Sequence, residues 1–217
     1  MTPEIKFCGL TRSVDAQFAA ELGAGYVGVI FAGGPRQRTV EEAAAVLADL
    51  PRRVKRVGVF GAQAPDEIAS VVSTLGLDVV QLHDGGDPSL VAEVRKRASA
   101  EIWAVIRLSR GFLPENSKAI AAIADGIVLD AYVPGAMGGT GVALPWQELA
   151  DRLEAVRSTR LILAGGLRPE NVARAISLVA PDVVDVSSGV EIEVGIKDHD
   201  KMRAFRDAAS QASIPTP

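Results

Sequence analysis

Val54-Lys55-Arg56-Val57-Gly58-Val59-Phe60 is followed by Pro65-Asp66-Glu67-Ile68-Ala69-Ser70-Val71-Val72-Ser73-Thr74-Leu75 and then by Val79-Val80-Gln81-Leu82. The outer two runs are short, apolar and rich in valine, as strands covered on both faces must be. The middle run has helical periodicity, and Pro65 falls in its first turn, where a missing N–H does no harm. A strand, a crossover helix and a second strand make a unit whose two strands run parallel.

The same unit repeats outward in both directions. Strands are expected at 4–8, 26–30, 54–60, 79–82, 102–107, 126–129, 161–163 and 183–186. Helices are expected near 13–22, 40–50, 65–75, 88–98, 116–124, 145–157, 169–178 and 199–209. Pro88-Ser89 and Pro169-Glu170-Asn171 repeat the proline start signal. Such a sheet either closes or stays open, and periodicity alone does not decide between them. Eight units in 217 residues, with glycine-rich loops after the late strands rather than the first, favour closure. The expectation is an α/β chain, a single-domain (β/α)8 TIM barrel over residues 1–217, with 211–217 as a frayed tail.

Composition narrows the function. The chain is 48% hydrophobic and 23% charged with net charge -4, an ordinary globular balance whose scattered basic residues give no footprint for nucleic acid. No apolar run reaches membrane-spanning length, and Met1-Thr2-Pro3-Glu4-Ile5-Lys6 lacks the pattern of a secretory signal. One cysteine forms no internal disulfide, which fits a reducing compartment and a cytoplasmic location. The two histidines, His83 and His199, stand far apart without ligand-spaced partners, so no metal site is expected. A serine triad would need a Gly-x-Ser-x-Gly elbow, which is missing.

In a barrel, chemistry belongs at the carboxyl ends of strands and in the loops that follow. Those positions hold Cys8-Gly9-Leu10-Thr11-Arg12, the loop 33–38, His83-Asp84-Gly85-Gly86, Arg107, Asp130 with the loop to Gly141, Gly165-Gly166, and Ser187-Ser188-Gly189. So much glycine suits backbone N–H groups that approach an anion closely.

Five segments then share a resemblance. They are Lys6-Phe7-Cys8-Gly9-Leu10-Thr11; Gln81-Leu82-His83; Leu129-Asp130 with Gly138-Gly139-Thr140-Gly141; Leu163-Ala164-Gly165-Gly166-Leu167 with Pro169-Glu170-Asn171-Val172; and Asp185-Val186-Ser187-Ser188-Gly189-Val190-Glu191. Each alone is weak; in this order, in register with eight strand–helix units, they resemble the phosphoribosylanthranilate isomerase family. The resemblance implies an Amadori rearrangement of N-(5'-phosphoribosyl)anthranilate to 1-(2-carboxyphenylamino)-1-deoxyribulose 5-phosphate in tryptophan biosynthesis, with no cofactor. It implies a phosphorylated small molecule as the only partner, without nucleic acid, membrane or an obligate protein. Cys8 matches the family's base and Asp130 its acid. The phosphate would lie on the N–H groups of Gly165, Gly166, Ser188 and Gly189, and Asp185 would also contact substrate. For the anthranilate carboxylate, alignment on the following helix selects Arg38, with Arg36 where a serine is usual.

The chain departs from the family at Asp84, where glycine is usual and where an anion would stand near the phosphate. It departs also at Leu144-Pro145-Trp146 and at Ile192-Glu193-Val194-Gly195. Two other readings compete. A sugar-phosphate isomerase that also takes a histidine-pathway aminoaldose would carry aspartate as first-strand base, against Cys8. A non-catalytic metabolite-binding or assembly barrel would need no acid–base pair.

Parity adds one expectation. Lys6 lies two residues before Cys8 and so faces the same interior, where a lone ammonium is costly. Strand eight neighbours strand one, so Asp185 is the expected partner, and Lys6 should draw Cys8 toward thiolate.

Overall fold

The computed structural model describes residues 2–84, 87–108, 112–131, 146–150 and 152–212. Eight parallel strands close into a barrel: β1 (Glu4–Phe7), β2 (Tyr26–Ile30), β3 (Lys55–Phe60), β4 (Val79–Leu82), β5 (Glu101–Leu108), β6 (Gly126–Ala131), β7 (Arg160–Leu163) and β8 (Val183–Val186). Closure is made by β1 against β8, with Lys6 opposite Asp185. The helices are α1 (Ser13–Glu21), α2 (Val40–Leu47), α3 (Pro65–Leu75), α4 (Pro88–Arg95), α5 (Ser117–Ala121), α6 (Trp146–Ala150), α7 (Val172–Val179) and α8 (His199–Gln211). None is long and apolar enough to cross a membrane.

Local chemistry explains the boundaries. Thr39 and Glu42 form a reciprocal capping box at the start of α2, satisfying two of its orphan N–H groups. Gly76, in the left-handed region at φ 58°, ends α3. Three elements differ from expectation. The segment expected as one helix over 145–157 is α6 followed by a separate 3-10 turn, Leu153–Ala155. Pro169 is not in a first helical turn: Arg168 to Asn171 form a β-turn with proline at its second position, and the Asn171 side chain accepts from the Arg168 N–H, so α7 begins at Val172. After β8, a 3-10 turn (Ser188–Val190) leads into an unforeseen antiparallel hairpin, β9 (Glu191–Glu193) with β10 (Ile196–Lys197), which turns at Gly195 with φ 83°. Of the expected tail, Gln211 is the last residue of α8, and 213–217 lie outside the described residues.

Alternation divides the core in two. Outward strand residues such as Phe7, Leu82 and Leu129 pack beneath Ile68 of α3, Ile176 of α7 and Phe205 of α8 in one apolar shell. Inward residues Tyr26, Val57, Val79, Trp103, Val105, Val128, Ile162 and Val183 fill the lumen. Trp103 is fully buried, with its ring 4.8 Å from that of Tyr26, and Gly126 makes room for it: a Cβ there would stand 2.8 Å from the indole. Trp103→Ala should therefore cost about 3–5 kcal/mol, read as a lower urea midpoint at unchanged slope. A midpoint equal to wild type would mean that the lumen collapses freely around the gap.

Candidate active site

Lys6 and Cys8 both face the lumen, as parity requires. Lys6 is completely buried, and its Nζ donates to Asp185 Oδ2 at 2.7 Å, the expected pair. It also donates to Gln81 Oε1 at 2.9 Å, a partner the sequence reading missed. One ammonium thus ties β1, β8 and β4 together across the barrel. Gly28 on β2 leaves it space, since a Cβ there would meet Cys8 Sγ at 3.0 Å and Lys6 Cε at 3.3 Å.

The effect on Cys8 is not the expected one. Burial pushes the thiol above its ordinary pKa; Lys6 pulls it down, but Asp185 pushes it up again and burial prevails. Burial also works against the Lys6 ammonium, yet Asp185 and Cys8 more than compensate and hold its pKa above the usual lysine value. Burial, helped by Asp185, outweighs the pull of Lys6, so the ligand-free site favours the thiol form of Cys8. Alkylation of Cys8 by iodoacetamide should accordingly accelerate only above the normal thiol range, about pH 8.5. Lys6→Met should move the inflection further up, because a nearby cation is removed. An inflection below the normal range would contradict the burial argument.

Seven of the eight expected site residues line one cavity of about 250 Å³ at the carboxyl end of the barrel: Cys8, Asp130, Gly165, Gly166, Asp185, Ser188 and Gly189. Cys8 follows β1 and Asp130 belongs to β6, three strands away round the closed sheet, so they face the cavity from different sides. The glycines are required by geometry. Gly165 and Gly166 have φ 81° and 65°, and a Cβ on Gly189 would lie 1.9 Å from the Leu167 carbonyl oxygen. Gly165, Gly166, Ser188 and Gly189 line one part of the cavity wall, where backbone N–H groups can approach an anion. Asp185 Oδ1 is buried and accepts no hydrogen bond among the described residues.

Arg38 is set apart from this cavity. It precedes Thr39, the N-cap of α2, donates from Nη1 to the Gln37 carbonyl at 2.7 Å, and stands 4.0 Å from Glu42 on a groove shared with Thr11 and Ser13. Among the described residues, the arginine lining the cavity is Arg36. Its stem crosses Gly9, where a Cβ would lie 2.8 Å from Arg36 Cδ, and its Nε and Nη2 grip both oxygens of Glu191 at 2.8 and 2.7 Å. Asp84 does not line the cavity; it accepts from Arg107 Nη2 at 3.2 Å, so the anticipated anion beside the phosphate pocket is absent from the lining. Gly85, Gly86 and the Gly138-Gly139-Thr140-Gly141 run lie outside the described residues. Glu191 closes a segment already singled out in the sequence, whereas Lys197, buried beside it, gave no signal.

A closed parallel barrel that gathers a thiol, a carboxylate, an arginine and glycine-walled loops at its carboxyl mouth has the architecture of a barrel enzyme for a small molecule. A family model described as N-(5'phosphoribosyl)anthranilate (PRA) isomerase matches residues 5–208. The chain belongs to the N-(5'-phosphoribosyl)anthranilate isomerase family. The isomerase of Pseudomonas fluorescens (strain Pf0-1) is 42% identical over 212 residues, covering 94% of this chain and 96% of the relative. The crystal structure of the Thermotoga maritima enzyme superposes with a TM-score of 0.86 at 34% identity, over 96% of this chain and 98% of that one. A crystal structure of a phosphoribosyl anthranilate isomerase in complex with reduced 1-(o-carboxyphenylamino)-1-deoxyribulose 5-phosphate has a TM-score of 0.83 at 33% identity, over 96% of this chain and 98% of that one.

Proposed function

We propose that this chain isomerises N-(5'-phosphoribosyl)anthranilate to 1-(2-carboxyphenylamino)-1-deoxyribulose 5-phosphate, in tryptophan biosynthesis, by general acid–base catalysis. The observation that carries the reading is a thiol and a carboxylate facing one cavity whose lining also includes Gly165, Gly166, Gly189 and an arginine. The ligand of the related complex has a phosphate at one end and an aryl carboxylate at the other, with the reacting carbons between. The cavity offers matching groups: Gly165, Gly166, Ser188 and Gly189 for the phosphate, and Arg36 for the carboxylate.

Asp130, protonated, gives its proton to the ribose ring oxygen as the C1'–O bond breaks, and the furanose opens to a Schiff base. Cys8, as thiolate, removes the C2' proton to give an enolamine, which tautomerises to the ketone. The buried Oδ1 of Asp185 accepts from the substrate's N–H or a hydroxyl, which satisfies an otherwise costly acceptor. The rearrangement conserves oxidation state over the whole molecule and calls for no cofactor. A base that must remain a free thiol suits a reducing compartment, which we take to be the cytoplasm.

The test is direct. Purified protein added to enzymatically generated N-(5'-phosphoribosyl)anthranilate should accelerate the decay of its fluorescence in proportion to protein concentration. Decay at the rate of the protein-free control would end the proposal.

A further inference from the structure

We infer that Glu191 is a positioning residue that aims Arg36 at the substrate's aryl carboxylate, and that Lys197 keeps this assembly cationic. The inference rests on the reading that Arg36 receives that carboxylate. The β9–β10 hairpin places Glu191 and Lys197 directly opposite each other in register. Glu191 takes both hydrogen bonds on one edge of the Arg36 guanidinium, from Nε and Nη2. Lys197, whose side chain is wholly buried, donates from Nζ to Glu191 Oε1 at 2.9 Å and to the Ser187 carbonyl at 3.0 Å. Its backbone N–H is held in turn by Asp15, which Arg12 and His199 grip from outside.

A guanidinium has five donors in a rigid plane. Glu191 uses one edge, so the second edge, Nη1 with the remaining N–H of Nη2, is left as a two-pronged fork for a planar carboxylate. An unheld arginine would lose much rotamer freedom on binding; one already gripped loses little. Charge gives the lysine its part. Arg36 and Glu191 alone sum to zero, and a protonated Lys197 adds one positive charge; burial draws its pKa below the usual lysine value, and the charge and hydrogen bond of Glu191 work against that. Glu191 is ionised there: burial opposes its charge, but the hydrogen bonds from Arg36 and the charge of Lys197 hold its pKa below the ordinary carboxylate range.

The test compares two ligands on the full-length protein: reduced 1-(2-carboxyphenylamino)-1-deoxyribulose 5-phosphate, and the anilino analogue without the ring carboxylate. Glu191→Gln should weaken the first by about ten- to a hundredfold, the loss of one charge-assisted hydrogen bond, and leave the second nearly unchanged. KM for the substrate should rise by a similar factor, far more than kcat falls. Glu191→Asp, which restores the charge on a shorter stem, should recover part of the preference. If Glu191→Gln fails to fold, Glu191→Asp carries the comparison, with a reduced but not abolished preference as the expected result. Equal loss for both ligands, or none for either, overturns the inference. Wild-type protein that binds the two ligands equally would overturn the carboxylate role of Arg36 itself. A preference that survives unchanged in both variants removes only the role of Glu191.

Discussion

Cys8→Ala is expected to fold like the parent and to lose roughly two to four orders of magnitude in kcat, the range for a general base. The fold should survive because the deletion is one sulfur atom at the mouth of the barrel, and Lys6 keeps its hydrogen bonds to Asp185 and Gln81. A urea midpoint close to the parent's would establish this. Cys8→Ser should be almost as poor, since a hydroxyl in the same buried position ionises far less readily than a thiol. Because burial already disfavours the thiolate, the wild-type rate should rise with pH on its acid limb as Cys8 loses its proton. That limb should vanish in the alanine variant. Wild-type-like kcat in a folded Cys8→Ala protein would remove the cysteine from the chemistry.

The strands at 26–30, 79–82 and 183–186 and the helix at 65–75 have the bounds expected from sequence. In each, valine-rich runs or a proline start leave the backbone little choice. Parity was equally informative for Lys6 and Asp185, where two strands sharing a closure seam leave a buried ammonium one adjacent anion. The same argument extended across the lumen would have found Gln81, two residues beyond inward-facing Val79. It fails for Arg36 and Arg38. Both occupy the same loop, two residues apart, and no local pattern distinguishes them. What turns Arg36 inward is the open space over Gly9 and the grip of Glu191, 155 residues away in the chain. The hairpin that supplies Glu191 is too short for a periodic signal, and only Gly195 marks its turn. The charge state of Cys8 was misjudged for a related reason. Proximity of Lys6 is legible from spacing, but the desolvation that outweighs it belongs to the assembled barrel.

The arrangement separates the two proton transfers in space, which makes them separable by experiment. Asp130 is half-buried at the end of β6, in register with Arg107 on β5, and lines the cavity away from Cys8. Asp130→Asn keeps the size and the carbonyl acceptor and loses only the transferable proton. Roughly two to four orders of magnitude in kcat should disappear with KM little changed, as for a group that acts only in the transition state. The reduced product should bind nearly as before, since it needs no ring opening. Deuterium at C2' then tells the two steps apart. In Asp130→Asn, ring opening becomes limiting and the primary isotope effect on kcat should collapse toward unity. In Cys8→Ser, C2' proton abstraction remains limiting and the effect should persist or grow. Equal damage to kcat and KM in Asp130→Asn would make the residue a binding group. A full isotope effect retained there would mean that another group protonates the ring oxygen.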